Sequence, residues 1–362
     1  LTELQEIEFG LLQQFLPICE QLNLTYYLVC GSALGAAKYS GFIPWDDDID
    51  VALPRKDYEI FCREAPKILP EWCFLQNYHS EPQYYLLGSK LRDSRTTYIE
   101  MMTDCLKINQ GVFIDIFPLD GQWCTEREHQ MFRKKRAIFE AARRVRLNYN
   151  RLSPQNLGMV RTNWYWLLFR LFGYKHDTAA EIAVFDRFIS SFSTDDSAVW
   201  CNHANSTSPL EYAPKEQYGD GIWMKFEGIP VRVPAQYDAY LTQKYGDWRG
   251  GIPPDQQYGH HHYVKCDLHR RERGEEIMIY RAIRKLKAVL YHAIVEPDIK
   301  RSFAECGKDS HIDSGGDFFP LSNIHVGNHA SIGVNARFWT TRAKIYIEDY
   351  ALFGPGVTII TG

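Results

Sequence analysis

Four carboxylates fall within five residues in Pro44-Trp45-Asp46-Asp47-Asp48-Ile49-Asp50-Val51, at the end of an apolar run. Like charges this close cannot all stay ionised at neutral pH without a cation, and hard carboxylate oxygens suit Mg²⁺ or Mn²⁺. Asp48 and Asp50 stand two apart. On an extended strand they share a face while Ile49 and Val51 turn into the core. Asp115 offers a further acid, because it alone interrupts the apolar run Gly111-Val112-Phe113-Ile114-Asp115-Ile116-Phe117, and a buried acid needs a partner. The competing reading is a solvated acidic turn at 46–50 and a loop cap at Asp115; the apolar alternation and paired spacing argue against it.

Placing these acids takes a small sheet. Tyr26-Tyr27-Leu28-Val29-Cys30 reads as a strand, Gly31-Ser32 as a tight turn, and a helix begins near Ala33. Leu4, Ile7, Leu11, Phe15, Ile18 and Leu22 recur every three or four residues and predict an amphipathic helix over 2–22. A helix over 55–69, strands near 84–92 and 111–117, a helical stretch over 125–192, a strand or hairpin over 226–233 and a helix over 235–245 complete the region.

The four elements Cys30-Gly31-Ser32-Ala33-Leu34-Gly35, Trp45 to Asp50, Lys90-Leu91-Arg92-Asp93 with Thr96-Thr97, and Gly111 to Asp120 occur in order. Together they resemble the LicD/fukutin-type phosphotransferases, of the nucleotidyltransferase fold, over about the first 265 residues. The resemblance implies transfer of a phospho-alcohol or phospho-amine from a CDP-activated donor to a glycan hydroxyl, in bacterial cell-surface polysaccharide synthesis. The partners are then a CDP-linked donor and a glycan or lipid-linked oligosaccharide acceptor. Carried over residue by residue, Asp48, Asp50 and Asp115 are the catalytic and metal-binding acids, Asp46 is a further metal ligand, and Mg²⁺ or Mn²⁺ is the cofactor. Gly31 and Ser32 offer backbone N–H groups to a phosphate oxygen. Lys90 and Arg92, two apart on a strand, share a face and are expected to meet the donor diphosphate. In His260-His261-His262 consecutive side chains point apart, so at most two serve one ion. The resemblance makes His260 and His262 donor or acceptor contacts. The rivals are a glycosyltransferase with an Asp-x-Asp site, a plain nucleotidyltransferase, and a non-enzymatic oligomeric assembly module.

Composition bounds the rest. The chain has 362 residues, 45% hydrophobic and 24% charged, and a net charge of −4 that gives no general attraction to nucleic acid. Nine cysteines stand singly without a Cys-x-x-Cys pair, which predicts reduced thiols and a cytoplasmic setting. Trp164 to Phe172 is about half a bilayer span and carries Arg170. It reads as a core helix, with contact at the inner face of a membrane as the alternative. The basic runs Arg133 to Arg136 and Arg143 to Arg146 read as a solvated helix face, with anionic lipid or an acidic glycan as the alternative partner.

Arg270 to Glu276 reads as a charged linker, followed by a basic helix from Ile279 to about Tyr291. Beyond it, apolar residues at Val326, Ile332 and Phe338, and then Ile347, Phe353 and Ile359, repeat every six positions with Gly327, Gly333 and Gly354 beside them. With the lead-in His311 to Phe318, this segment resembles the opening of a hexapeptide-repeat acyltransferase, a left-handed β-helix that is commonly a homotrimer. About two coils are too few to bury their own core, so partner chains or further sequence are expected to cap it. His325 and His329 do not match the acyltransferase histidine, and no such activity is expected. The expected architecture is α/β (α+β): a nucleotidyltransferase-like small mixed sheet with helices at 1–270, a linker and helix at 271–300, and the start of a left-handed parallel β-helix at 301–362.

Overall fold

The computed structural model describes residues 1–100, 103, 104, 106–150, 178–204, 208–250, 257, 259, 261, 263–271, 286, 290–333, 335–340, 343–354 and 357–361, with the backbone alone for 141–150 and 178. The chain divides into two compact units, Leu1–Leu147 with Tyr174–Gly274, and Asn148–Gly173 with Glu275–Gly362.

In the first unit, α1 (Glu3–Gln21) starts in a capping box in which Thr2 and Gln5 bond each other's backbone N–H. Strand β1 (Tyr27–Leu28) is shorter than the sequence predicts, because α2 (Cys30–Tyr39) begins three residues before Ala33. Strand β2 (Asp50–Pro54) runs straight into α3 (Arg55–Glu64), which gives way to a 3₁₀ turn at Ala65–Lys67. Pro66 explains the early end, since it lacks the N–H that would continue the helix. Strands β3 (Cys73–Gln76), β4 (Ser89–Asp93), β5 (Thr97–Glu100) and β6 (Val112–Gly121) follow, then α4 (Glu126–Asn150). Neither β3 nor β5 is legible in the sequence. Both are short, and β5 is completed by a partner far along the chain.

The main path of the sheet is β1-β2-β6-β4-β3, with β2 parallel to β6 and β4 antiparallel to it. All ten residues of β6 are buried, the pattern of a strand covered on both faces. Ile114 and Ile116 pack with Leu11, Phe15 and Phe61 from α1 and α3. Phe117 and Leu119, on the other face, pack with Ala33 and Leu34 of α2 and with Leu241 of the helix Tyr237–Tyr245. Asp115 shares the second face.

Strands β7 (Val199–Cys201) and β8 (Tyr212–Pro214) extend the sheet beyond β6. The expected hairpin is β9 (Ile222–Phe226) with β10 (Ile229–Val233), joined through Glu227 and Gly228 at φ 47° and 83°, the left-handed pair of a tight hairpin turn. Strand β11 (Tyr263–Asp267) pairs antiparallel with β5. The 125–192 stretch is helical at α4 and at Thr178–Ile189. Trp164 to Phe172 lies outside the described residues, as does most of 279–291. Among the described residues no helix is long and apolar enough to cross a membrane. The eight described cysteines are free thiols.

In the second unit, β12 (Glu305–Cys306), β13 (His311–Ile312), β14 (Asp317–Phe319), β15 (Ile324–Val326), β16 (Ser331–Ile332), β17 (Arg337–Trp339), β18 (Ile345–Ile347), β19 (Leu352–Phe353) and β20 (Thr358–Ile360) form three parallel sheets of three strands. Each sheet takes every third strand, as in β12-β15-β18, so Glu305 pairs His325 and His325 pairs Tyr346. The apolar hexad residues fill the inside: Val326, Ile332, Phe338 and Ile347 are buried together. The sheets curl around this core in three turns, one more than the two coils expected, each turn giving one strand to every sheet.

Candidate active site

Sheet register assembles the acids. Asp50 on β2 stands opposite Asp115 on β6, and Asp115 stands opposite Lys90 on β4, giving one transverse row of acid, acid and base. Residues opposite each other in a sheet share a face. The row is pinned at its edges: the Asp50 N–H donates to Ser32 Oγ (2.8 Å), the Val29 N–H to the Asp50 carbonyl (3.1 Å), and the Asp115 N–H to the Ile49 carbonyl (2.8 Å). Lys90 is 2% exposed; its Nζ lies 3.2 Å from Asp115, 3.6 Å from Glu100 and 3.2 Å from the centroid of the Phe113 ring. Asp46, Asp47 and Asp48 lie before the strand proper, and α1 holds them from below, where Gln5 Nε2 donates to the Asp46 carbonyl (3.0 Å).

His261 enters from the segment before β11. Its N–H donates to Asp47 Oδ2 (3.0 Å), and its Nδ1 lies 3.3 Å from Asp47 Oδ1 and 3.8 Å from Asp48 Oδ2. Asp48, Asp115 and His261 each offer a ligand atom, all within 4.8 Å of one another, and Asp46, Asp47 and Asp48 form a second such group.

The electrostatics favour a cation. Burial, then the charge of Asp46, pushes the Asp48 carboxyl up to about 7. Burial, then Asp47, pushes Asp46 up to about 6. Burial, then Asp48 and Asp115, raises Asp50 well above the usual carboxylate range. For His261 burial opposes the charged ring, but the bond to Asp47 and the charge of Asp48 prevail and lift it to about 9. Desolvated acids that resist ionisation, gathered around one point with a histidine nitrogen, form a donor set that fits a divalent ion. The oxygens suit Mg²⁺ or Mn²⁺, and the nitrogen tilts the set towards Mn²⁺.

Of the residues singled out in the sequence, Asp46, Asp48 and Asp115 fall within these groups. Asp50 belongs to the row but to neither close group. Ser32 spends its hydroxyl on the Asp50 backbone, and a Cβ on Gly31 would stand 2.9 Å from Asp46 Oδ2, so the glycine lets the acidic loop close onto α2. Lys90 joins the row. Arg92 shares its face but is fully buried, with its guanidinium donating to Gln76, to the Gly111 carbonyl (2.5 Å) and to Glu100 (3.3 Å). These bonds tie β4 to its neighbours. His260 and His262 lie outside the described residues. Sequence reasoning passed over His261, the middle histidine, because period-two logic favours its neighbours. It also passed over Glu8, an acid that interrupts the apolar stripe of α1 between Leu4 and Leu12 and is 2% exposed.

Residues 23–156 match the family model described as LicD/FKTN/FKRP, nucleotidyltransferase domain. The chain is also 26% identical over 275 residues to the lipopolysaccharide cholinephosphotransferase LicD of Haemophilus influenzae, covering 72% of this chain and 96% of that protein. The matched segment contains Gly31, Ser32, the acids of 46–50, Lys90, Arg92 and Asp115, whereas His261 lies beyond it. Residues 23–156 thus match the LicD/FKTN/FKRP nucleotidyltransferase domain, and with the similarity to a cholinephosphotransferase this supports a phosphotransferase enzyme.

Proposed function

We propose that this enzyme moves a phosphocholine-type group from a CDP-linked donor to a glycan hydroxyl, with Mg²⁺ or Mn²⁺ held by Asp48, Asp115 and His261 and supported by Asp46 and Asp50. The observation that carries this reading is the convergence of Asp48, Asp115 and His261 within 4.8 Å on the face of a row that also holds Asp50 and Lys90. The relative's activity on choline phosphate and lipopolysaccharide supports the choice of donor and acceptor. A divalent ion at this point would neutralise charge building on the donor's phosphates.

The chain's own residues do the rest. The acceptor oxygen attacks the phosphorus that bears the choline, the bond from that phosphorus to the CMP oxygen breaks, and the acceptor proton passes to Asp115 Oδ. Lys90, fixed over Phe113 and bonded to Asp115, orients that carboxylate. Buried acids around the reacting centre exclude bulk water. The second unit, in this reading, is a left-handed β-helix of hexapeptide repeats that joins three copies of the chain, and the enzyme works in the cytoplasm at the inner face of the membrane, where lipid-linked acceptors lie.

The test is release of CMP from CDP-choline, CDP-ethanolamine, CDP-ribitol and CDP-glycerol with glycan acceptors, with and without Mn²⁺, in the parent chain and in Asp48→Asn. Mn²⁺-dependent CMP release that the variant lacks supports the proposal. UDP or GDP release from nucleotide sugars would move the reading to glycosyl transfer, and pyrophosphate release from CTP to nucleotidyl transfer. Silence throughout would leave an assembly module.

A further inference from the structure

Cys30, the first residue of α2, has a φ of 50°. That is the left-handed region, which is costly for a residue with a Cβ, and residues held there against their preference gather at functional sites. The chain on either side of Cys30 grips the backbone of Asp50. The Val29 N–H donates to the Asp50 carbonyl (3.1 Å), and Ser32 Oγ accepts from the Asp50 N–H (2.8 Å). Gly31, between Cys30 and Ser32, lies so close to the acidic loop that a Cβ there would stand 2.9 Å from Asp46 Oδ2. Turning Cys30 to the helical φ, a rotation of about 110°, would swing Gly31 and Ser32 away from the strand while Val29 stayed in place. Both bonds to Asp50 therefore depend on the left-handed turn.

One side chain from far along the chain holds that turn. The Cys30 N–H donates to the Tyr240 hydroxyl oxygen (3.2 Å), and both residues are buried. Tyr240 belongs to the helix Tyr237–Tyr245, whose Leu241 is fully buried in the cluster that holds Ala33 and Leu34 of α2. The Tyr240 ring packs on Tyr218 (5.7 Å), which packs in turn on Tyr27 of β1 (5.3 Å). One turn further along the same helix, Lys244 Nζ bonds both oxygens of Glu211 (2.9 and 3.0 Å). The hydroxyl is thus carried by a well-anchored helix. A buried N–H without an acceptor pays the full cost of its desolvation, so the Tyr240 oxygen favours the one conformation of Cys30 that reaches it.

We propose that Tyr240 is a positioning residue for the acid row: its hydroxyl holds Cys30 in the left-handed turn, and the turn sets Asp50 opposite Asp115 and lets the acidic loop close onto α2. This role rests on the reading of that row as a metal site, and Tyr240 acts through Cys30 rather than on the acids themselves. A tyrosine that merely satisfied a buried N–H would stabilise the fold and do nothing more. Here the N–H belongs to the residue whose conformation brings Val29 and Ser32 to the same peptide of the row.

The test compares the parent, Tyr240→Phe and the double variant Tyr240→Phe with Cys30→Gly in the full chain. It reads amide hydrogen exchange of the metal-free protein and Mn²⁺ titration followed by electron paramagnetic resonance. Tyr240→Phe is expected to speed exchange at the Asp50 N–H and to weaken Mn²⁺ binding by about tenfold, as loss of a supporting group does. Glycine meets no steric penalty at positive φ, so adding Cys30→Gly should restore both. Should Tyr240→Phe fail to fold, a double variant that folds and binds Mn²⁺ is the same rescue, and one that also fails overturns the proposal. Unchanged Asp50 exchange and Mn²⁺ affinity in Tyr240→Phe, or a loss that Cys30→Gly does not restore, would overturn it too. A parent that takes up no Mn²⁺ would count against the metal site, while exchange at Asp50 and its rescue by glycine would still decide the role of Tyr240.

Discussion

Asp115 and Asp120 sit five residues apart on β6, on opposite faces and in opposite circumstances. Asp120 is fully buried and both its oxygens are taken by one guanidinium: Arg55 Nε at 2.6 Å and Arg55 Nη2 at 2.8 Å. The remaining arm of Arg55 meets Asp186 at 3.0 Å, and Tyr78 donates to that acid too (2.8 Å). Asp115 shares its surroundings with Asp46, Asp48, Asp50 and Glu8, and among the described residues Lys90, His261 and Lys244 are too few to answer them. A buried acid whose bonds are complete is part of the framework; a buried group of acids left short of positive charge is a place for something to bind.

Substituting at each end should separate the two roles. Asp120→Asn is expected to be the most damaging change to stability, about 3 kcal/mol, because it takes from the buried Arg55 the carboxylate that meets two of its nitrogens and leaves it Asp186 alone. Replacing both partners, Arg55→Met with Asp120→Leu, should recover most of that loss in chemical denaturation. Asp48→Asn should do the reverse: kcat/KM for CMP release falls about a hundredfold or more, while the melting temperature in EDTA is unchanged or higher, since one like charge is gone. A sharp fall in the EDTA melting temperature of Asp48→Asn would show that the acid row is framework after all.

The balance can also be read in pH. Asp46 titrates near 6 and Asp48 near 7 in the folded chain, against about 4 for an ordinary carboxyl in the unfolded one. The folded state therefore holds more protons between these values. The stability these groups supply is complete below about pH 4 and is lost as the pH rises through 6 and 7. His261, lifted to about 9, continues the loss above the ordinary imidazole value. In EDTA this should appear as a fall of about 1 kcal/mol per pH unit, near the limit of 1.4 for one group, and saturating Mn²⁺ should flatten it. The mildest test is Gly31→Ala. Its methyl group would meet Asp46 Oδ2 at 2.9 Å, and the carboxylate can swing away. Half-saturation by Mn²⁺ should shift a few-fold with the melting temperature unmoved.

Much of this site is present in local sequence. The acid run, the lone acid in an apolar strand and the Lys90, Arg92 pair follow from residue type and a period of two, and so do α1 and the hexad repeat of the second unit, from their own periods. A periodicity says which residues of one strand share a face, and that is enough to foresee that Lys90 and Arg92 point the same way. It does not say which strands are neighbours or in what register. Arg92 and Lys90 share a face, yet β3 and the loop at Gly111 bury one completely, and neither burial is written near position 92. His261 meets Asp47 across 214 residues of chain, and Gln5 reaches the same loop from α1 through helix packing. The sequence by itself determined the kinds of group and their local order, because propensity and side-chain alternation act over a few residues. Only the tertiary structure decided which charges are satisfied and which are left over, because that depends on distances between segments that the chain brings together only when it folds.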